Sequence, residues 1–331
     1  MNASATPIPV QSFRLASGLM LLSGILALCL VLSLGLGAAD ISPGVVWQSL
    51  VNFNNSTEHL IIRTVRLPRS LVALSVGAAL GVAGAIMQGL TRNPLADPGI
   101  LGINAGAALA VVGITFLLGS QPLSVTTWAA FAGAGVAAVI VYALGSVGRG
   151  GLTPLKLTIA GAALTAFLSS VTTGMLLLSQ RTLEEIRFWL AGSVAGRDVD
   201  MVLQGAPYLM VGLGAAFLLS KQITTLSLGD DIAQGLGQRT GWVKLSAAIV
   251  VILLAGSSVA LAGPIGFVGL VIPHVVRILV GVDYRWIFPY SAVLGSILLL
   301  VADVAGRLVL RPQELPVGIM TALLGSPVFW G

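Results

Sequence analysis

Few of the 331 residues carry groups that could do chemistry, and their placement narrows what that chemistry is. The chain has two histidines (His59 and His274), one cysteine (Cys29), twelve Asp or Glu and seventeen Lys or Arg. No HExxH sets two imidazoles on one helix face for a metal, and no GxxxxGK[ST] loop cradles a phosphate. A single cysteine allows neither a disulfide framework nor a thiolate cluster within the chain. His59 stands in a polar stretch, and His274 adjoins Arg277, where a buried structural role fits better than a ligand. Hydrolase or transferase chemistry has no visible apparatus, so the expectation is no catalytic residue, no metal site and no cofactor held by this chain. If ATP drives its work, another polypeptide must hydrolyse it.

What the charged residues can do is set helix ends and make contacts. One concentration is LSLGDDIAQGLGQRTG, residues 226–241. Asp230 and Asp231 fall in a first helical turn, where carboxylates favour the positive end of the helix dipole, and Gly237 stands where a helix would stop. Leu228, Ile232 and Leu236 recur every four residues, so one face of the short helix is apolar. Two readings stay open for it, a solvated connector and a docking surface for a soluble partner. A second concentration is Arg63, Arg66 and Arg69 around Pro68. Asp303 and Arg307, four apart on a helix, are expected to pair locally. In an ion-coupled secondary transporter Asp303 would instead be a proton-relay carboxylate. In TRNPLADPG, residues 91–99, Asp97 is placed to cap the helix that follows.

The elements that must position these groups are dictated by composition. Hydrophobic residues make up 56% of the chain and charged ones only 9%, with a mean hydropathy of +0.99. A soluble domain carries about a quarter charged residues. The fold class is therefore all-α, a polytopic membrane protein. Apolar runs at roughly 15–39, 70–90, 99–119, 125–147, 157–178 and 202–220 approach the ~20 residues a helix needs to cross hydrocarbon. Residues 245–276 make one run too long for a single crossing, and Gly263-Pro264 divides it. Runs at 286–308 and 315–331 bring the count to about ten, the last one short. The organisation is a polar segment at 1–14 and one transmembrane domain over 15–331, interrupted by the loop at about 222–244. Among the 41 glycines, Gly77, Gly81 and Gly84, and Gly102 and Gly106, are spaced for close helix contact. The net charge of +5 is scattered, so nucleic acid is not an expected partner. With the N-terminus inside, nine Lys or Arg fall inside and eight outside, which leaves Arg63, Arg66 and Arg69 in need of a reason of their own.

Several stretches together resemble the permease subunits of bacterial ABC importers for iron–siderophore complexes and cobalamin (the FecCD/BtuC type). They are VRLPRSLVALSVGAALGVAGAIMQGLTRNPLADPGILGINAGAALA at 65–110, LSLGDDIAQGLG at 226–237, VALAGPIGFVGLVIPHVVR at 259–277 and ADVAGRLVLRPQELPVGIMTALLGSPVF at 302–329. The resemblance implies a type II importer permease with ten helices and both termini in the cytoplasm of the bacterial inner membrane. It implies a second permease subunit, identical or a sister chain, two ATPase subunits that use ATP and Mg, and an extracytoplasmic binding protein. Iron(III)–siderophore is the implied cargo, with cobalamin or haem as alternatives. Such relatives usually run on beyond the PVFW at 327–330, so the tenth span is expected to be completed by tilt or to be trimmed.

The same resemblance implies residue roles. Leu228, Gly229, Asp230, Asp231, Ala233, Leu236 and Gly237 would form the helix that couples to the ATPase. Arg66, Arg69 and Arg307 would meet acidic residues of the binding protein, since a planar guanidinium takes a carboxylate bidentately. Ser169, Ser170, Thr172 and Thr173 would line the path, although hydroxyls in membrane helices often bond their own backbone.

Overall fold

The computed structural model describes residues 8–37, 41–148 and 153–329, and the side chains of 12–327 within those limits. Residues 1–7 of the expected N-terminal segment, residues 38–40, residues 149–152 at the GRGG turn and beyond it, and residues 330–331 lie outside the described residues. In chain order the helices are α1 (Ile8–Gly35), α2 (Pro43–Val51) and α3 (Thr57–Ile61), which runs through a π turn into α4 (Leu67–Thr91). After a 3₁₀ turn (Pro98–Leu101) come α5 (Ile103–Leu118), α6 (Leu123–Ser146), α7 (Pro154–Leu178), α8 (Gln180–Leu190), α9 (Val199–Ser227) and α10 (Asp230–Gly235). The chain continues with α11 (Thr240–Ala262), α12 (Val268–Val280), α13 (Tyr284–Val309) and α14 (Val317–Gly325). No strand occurs among the described residues.

The apolar runs are helical, and among the described residues seven helices are long and apolar enough to cross a membrane. Three further apolar helices, α5, α12 and α14, have 16, 13 and 9 residues and fall short of that length, so the expected count of about ten is approximate. Local punctuation explains α12. Gly263 takes φ +71° and Phe267 φ +69°, so no helix can run through them, and Gly281 at φ +81° ends it after 13 residues. The division at Gly263-Pro264 is where the sequence places it. The polar stretches hold more structure than their composition suggests, since α2 and α3 form within 40–69 and α8 within 180–200.

The bundle is built around α4. Twenty-one of its 25 residues are buried, whereas α1 lies at the periphery, with Leu15, Leu19, Leu22 and Leu26 only partly buried against the core. Small residues let neighbours reach the α4 backbone. A Cβ at Gly77 would collide with the backbone of Gly295 on α13, and one at Gly84 with the backbone of Gly269 on α12. Gly81 and Gly106 likewise abut Ser291 and Gly133. Gly102 differs, since it has no contact this close and takes φ +71° at the head of α5. The long α9, 29 residues or about 43 Å at 1.5 Å per residue, fixes the geometry that matters next. Its first turn stands at one end of the bundle and α10 follows its last turn at the other.

Candidate functional site

The loop after α9 is organised by two glycines. Gly229 takes φ +127° and ψ +149°, a region open in practice only to glycine, and its carbonyl accepts from Ala233 N at 3.0 Å to start α10. Asp230 and Asp231 occupy the first turn, and Asp230 Oδ2 is 2.7 Å from Lys244 Nζ on α11. The helix closes with Gly237 N donating to Gln234 O at 2.8 Å and Gln238 N to Ala233 O at 2.9 Å, with Gly237 left-handed at φ +82°. That pair of bonds is the Schellman stop. Ala233 is fully buried against the bundle. On the other side Leu228, Ile232 and Leu236 are 57%, 53% and 70% exposed, so the apolar face has no cover within the subunit.

Two neighbouring segments brace this loop. Thr224 Oγ1 accepts from Tyr284 N at 3.0 Å, tying the end of α9 to the start of α13. Arg92, at φ +53° after α4, brings its guanidinium over Gly229. Beyond Arg92, Asp97 accepts from Gly99 N at 2.7 Å, so it caps the 3₁₀ turn ahead of α5. Burial holds its carboxyl above the usual carboxylate range, and the Gly99 N–H pulls the other way. His274 shares α12 with Arg277, whose Nη2 donates to the buried Gln88 Oε1 on α4.

Arg66, Arg69 and Arg307 gather at the opposite end of the bundle, but not as exposed forks awaiting a partner. All three are buried within the subunit, at 6%, 7% and 3% exposure. Asp303 explains the arrangement. Its Oδ1 is 2.8 Å from Arg69 Nη2 and its Oδ2 2.8 Å from Arg307 Nη2, so one carboxylate, 1% exposed, joins two guanidinia. Arg69 Nη1 also reaches Glu314 Oε2 at 2.6 Å. Arg307 donates to Ser33 Oγ at 2.7 Å and to the carbonyls of Ser33 and Leu36 at 2.9 Å, while Arg66 donates to the carbonyls of Leu34 and Gly35 at 2.8 and 2.7 Å. The guanidinia thus satisfy the last-turn carbonyls of α1, which no residue within that helix can reach. The Asp303–Arg307 pair follows from spacing, but the bridge to Arg69 does not. Glu314 gives no signal in the sequence beyond being a carboxylate beside an apolar run.

The hydroxyls expected along a path all lie on α7, with different surroundings. Ser169, Ser170 and Thr173 are exposed, whereas Thr172 is buried within the subunit. Ser170 Oγ bonds Ala166 O and Thr172 Oγ1 bonds Leu168 O, both at 2.8 Å, the back-bonding expected of hydroxyls in membrane helices. Among the described residues, no three His, Cys, Asp or Glu side chains converge to hold a metal ion.

Residues 25–330 match the FecCD transport family. The chain is 53% identical over 284 residues to the "Probable siderophore transport system permease protein YfiZ" of Bacillus subtilis, covering 86% of this chain and 85% of that one. It is 47% identical over 319 residues to the iron(3+)-hydroxamate import system permease FhuB of the same organism, covering 94% and 82%. Relatives at 45%, 42% and 36% identity are named for iron(3+) citrate, ferric enterobactin and hemin. A metal-chelate type ABC transporter solved in an inward-facing conformation superposes with a TM-score of 0.85 at 29% identity, over 95% of this chain and 97% of that one.

Proposed function

This chain belongs to the FecCD transport family, and from that premise we propose that it is the membrane-spanning subunit of an importer for iron(III)–siderophore complexes. In this reading a separate pair of ATPase subunits drives it, an extracytoplasmic protein delivers the cargo, and a second permease subunit completes the path. Both termini and α10 face the cytoplasm. Cobalamin and haem remain the alternative cargoes.

The observation that carries the reading is the bare apolar face on α10. A helix held by a Gly229 start, a Schellman stop and the Asp230–Lys244 pair is rigid, yet it presents Leu228, Ile232 and Leu236 uncovered. Burial of such side chains contributes about 1.5–3 kcal/mol each when complete, so a soluble groove closing over them binds through the hydrophobic effect. Movement of that groove then reaches the bundle through the end of α9, the start of α13 and Arg92. Ser169, Ser170 and Thr173, on the open side of α7, are the path-lining candidates. The ion-coupled alternative is disfavoured, because Asp303 is buried and ion-paired with two guanidinia of its own chain.

The test is uptake of radiolabelled iron in cells lacking their own siderophore permeases, supplied with this chain, its companion subunits and a panel of ferric chelates. Expected is uptake that disappears when the companion ATPase cannot hydrolyse ATP and persists through a brief treatment with a proton uncoupler. Uptake that ignores the ATPase and collapses with the uncoupler would overturn the proposal. Uptake of cobalamin or haem alone would overturn the cargo.

A further inference from the structure

Arg277 is a cation held without a carboxylate. It stands in the last turn of α12, half-buried, and its Nη2 donates to Gln88 Oε1 on α4. Gln88 is 1% exposed and its Nε2 donates to Leu270 O at 3.1 Å, so a buried neutral amide fixes where the guanidinium lies. No carboxylate pairs with Arg277 among the described residues. Its Nε and Nη1 have no partner among those residues either, and they are not shut off from solvent. The dipole of α12 favours a positive charge at this end, yet the side chain turns to Gln88 and leaves two of its nitrogens turned outward.

The residues that follow it are apolar and bare. Ile278, Leu279 and Val282 are 76%, 56% and 69% exposed. Asp283 is the one carboxylate in the stretch 274–285, and its Oδ1 lies 3.5 Å from Nε of the exposed Arg285, so the corner keeps a net positive charge. Tyr284 N bonds Thr224 Oγ1, which places this corner at the same end of the bundle as α10. It is also where the membrane-crossing helix α13 begins, the level at which hydrocarbon gives way to headgroups. A free phosphate would answer the guanidinium and leave the aliphatic side chains bare. An anionic amphiphile at this depth answers both.

We propose that the corner between α12 and α13 binds an anionic phospholipid, its phosphate set against Nε and Nη1 of Arg277 and its acyl chains laid along Ile278, Leu279 and Val282. Arg285 adds a weaker attraction, because Asp283 offsets it. A zwitterionic lipid brings a cation of its own to a site that already has an excess of positive charge, so a headgroup with net negative charge is preferred. Arg277 joins α12 to α4 through Gln88, and the lipid thereby steadies the junction on which the end of α9 and the start of α13 meet. The inference rests on the transport reading only for assigning this lipid to the cytoplasmic leaflet.

The experiment titrates the purified chain in detergent with phosphatidylglycerol and with phosphatidylcholine of the same acyl chains, and reads bound lipid by native mass spectrometry. Expected is saturable binding of phosphatidylglycerol, roughly tenfold tighter than that of phosphatidylcholine. It should weaken about fivefold in Arg277→Gln, the effect of one basic residue at a membrane surface, and recover in part in Arg277→Lys. Arg181→Gln removes an exposed charge on α8 at the far end and should change nothing. Where Arg277→Gln does not fold, about tenfold more salt added to the wild type serves, with a severalfold loss of phosphatidylglycerol expected. Phosphatidylglycerol held no tighter than phosphatidylcholine, held as tightly by Arg277→Gln, or held regardless of salt would overturn the site. Loss of ATPase capture in Arg277→Gln with lipid binding unchanged would give the corner to a protein partner instead. The titration uses no ATPase, nucleotide or cargo, so its failure leaves the transport reading standing, and absence of iron uptake in cells leaves the lipid site standing.

Discussion

The ion cluster at Asp303 gives the sharpest test of how this fold is held. Asp303→Asn keeps the shape but removes the charge that Arg69 and Arg307 share, leaving two guanidinia at 7% and 3% exposure without it. Removing one partner of a buried pair costs about 3–5 kcal/mol, because the remaining charge stays desolvated. Arg69 keeps Glu314, and Arg307 keeps Ser33 and the Leu36 carbonyl, so the lower end of that range, about 3 kcal/mol, is expected here. For a chain of this size that corresponds to a fall in melting temperature on the order of 5–10 °C. The assay is thermal unfolding of the purified protein in detergent, followed by tryptophan fluorescence. Glu314→Gln, whose carboxylate is 35% exposed, should cost roughly 1 kcal/mol or less and move the melt far less. Arg69→Met with Asp303→Leu and Arg307→Met should melt above Asp303→Asn, since it removes charge and partner together. An Asp303→Asn protein melting within about 1 °C of wild type, or melting above the triple variant, would refute the assignment of the cluster as a clamp.

Three further outcomes follow from the same geometry. Leu236→Ala removes about two-thirds of an uncovered leucine's potential burial, roughly 1–2 kcal/mol, and should weaken ATPase capture in pull-down about 5- to 30-fold while leaving the melting temperature unchanged. Gly84→Ala drives a Cβ into the Gly269 backbone and should destabilise the chain by about 1–3 kcal/mol, visible as a lower melt and poor yield; a silent Gly84→Ala would contradict the α4–α12 contact. The raised carboxyl of Asp97 means that the unfolded chain loses this proton first as pH climbs, so stability falls between the ordinary carboxylate value and the raised one. Asp97→Asn keeps the acceptor for Gly99 N and should melt higher than wild type at neutral pH, the gap closing in acid, and a lower melt at neutral pH would count against the burial argument.

The sequence carried α10 almost whole, because its determinants are local. Two glycines, two aspartates and a period of four suffice to place its start, stop and apolar face. The break after α11 is legible for the same reason. The arginines were not, since the partner of Arg69 is 234 residues away and no local pattern connects them. Spacing pairs Asp303 with Arg307, but only the packing of α4 on α13 brings Arg69 to the same carboxylate. The helix α8 could have been found from Ser179 as its cap, whose Oγ accepts from Thr182 N, with Thr182 and Ile186 forming the buried side. Its charged composition hides it when hydropathy alone is read. The burial of Thr172 beside exposed Ser169, Ser170 and Thr173 was not legible either, because which hydroxyl of a run faces inward depends on how α7 rotates against α5 and α6.

The inward-turned arginines also account for the near-even distribution of basic residues. Arg63 donates to the carbonyls of Ser49 and Leu50 at the end of α2, at 2.9 and 3.2 Å, and stacks 4.4 Å from the centre of the Phe53 ring. Arg66 takes two carbonyls at the end of α1, and Arg69 takes Asp303 and Glu314. Each of these cations therefore has a structural occupation at a helix C-terminus or an ion cluster, where the helix dipole and unpaired carbonyls favour positive charge. A basic residue engaged in this way is held by its own chain and does not report on the membrane's preference for one side. Without the three, the basic count is nine against five, and the larger number lies on the side of α10. Arg239 and Lys244 flank that loop and Arg285 begins α13 beside it, so these basic residues and the uncovered apolar face belong to the same end of the molecule. That coincidence supports the proposal that α10 is a docking surface on the cytoplasmic side.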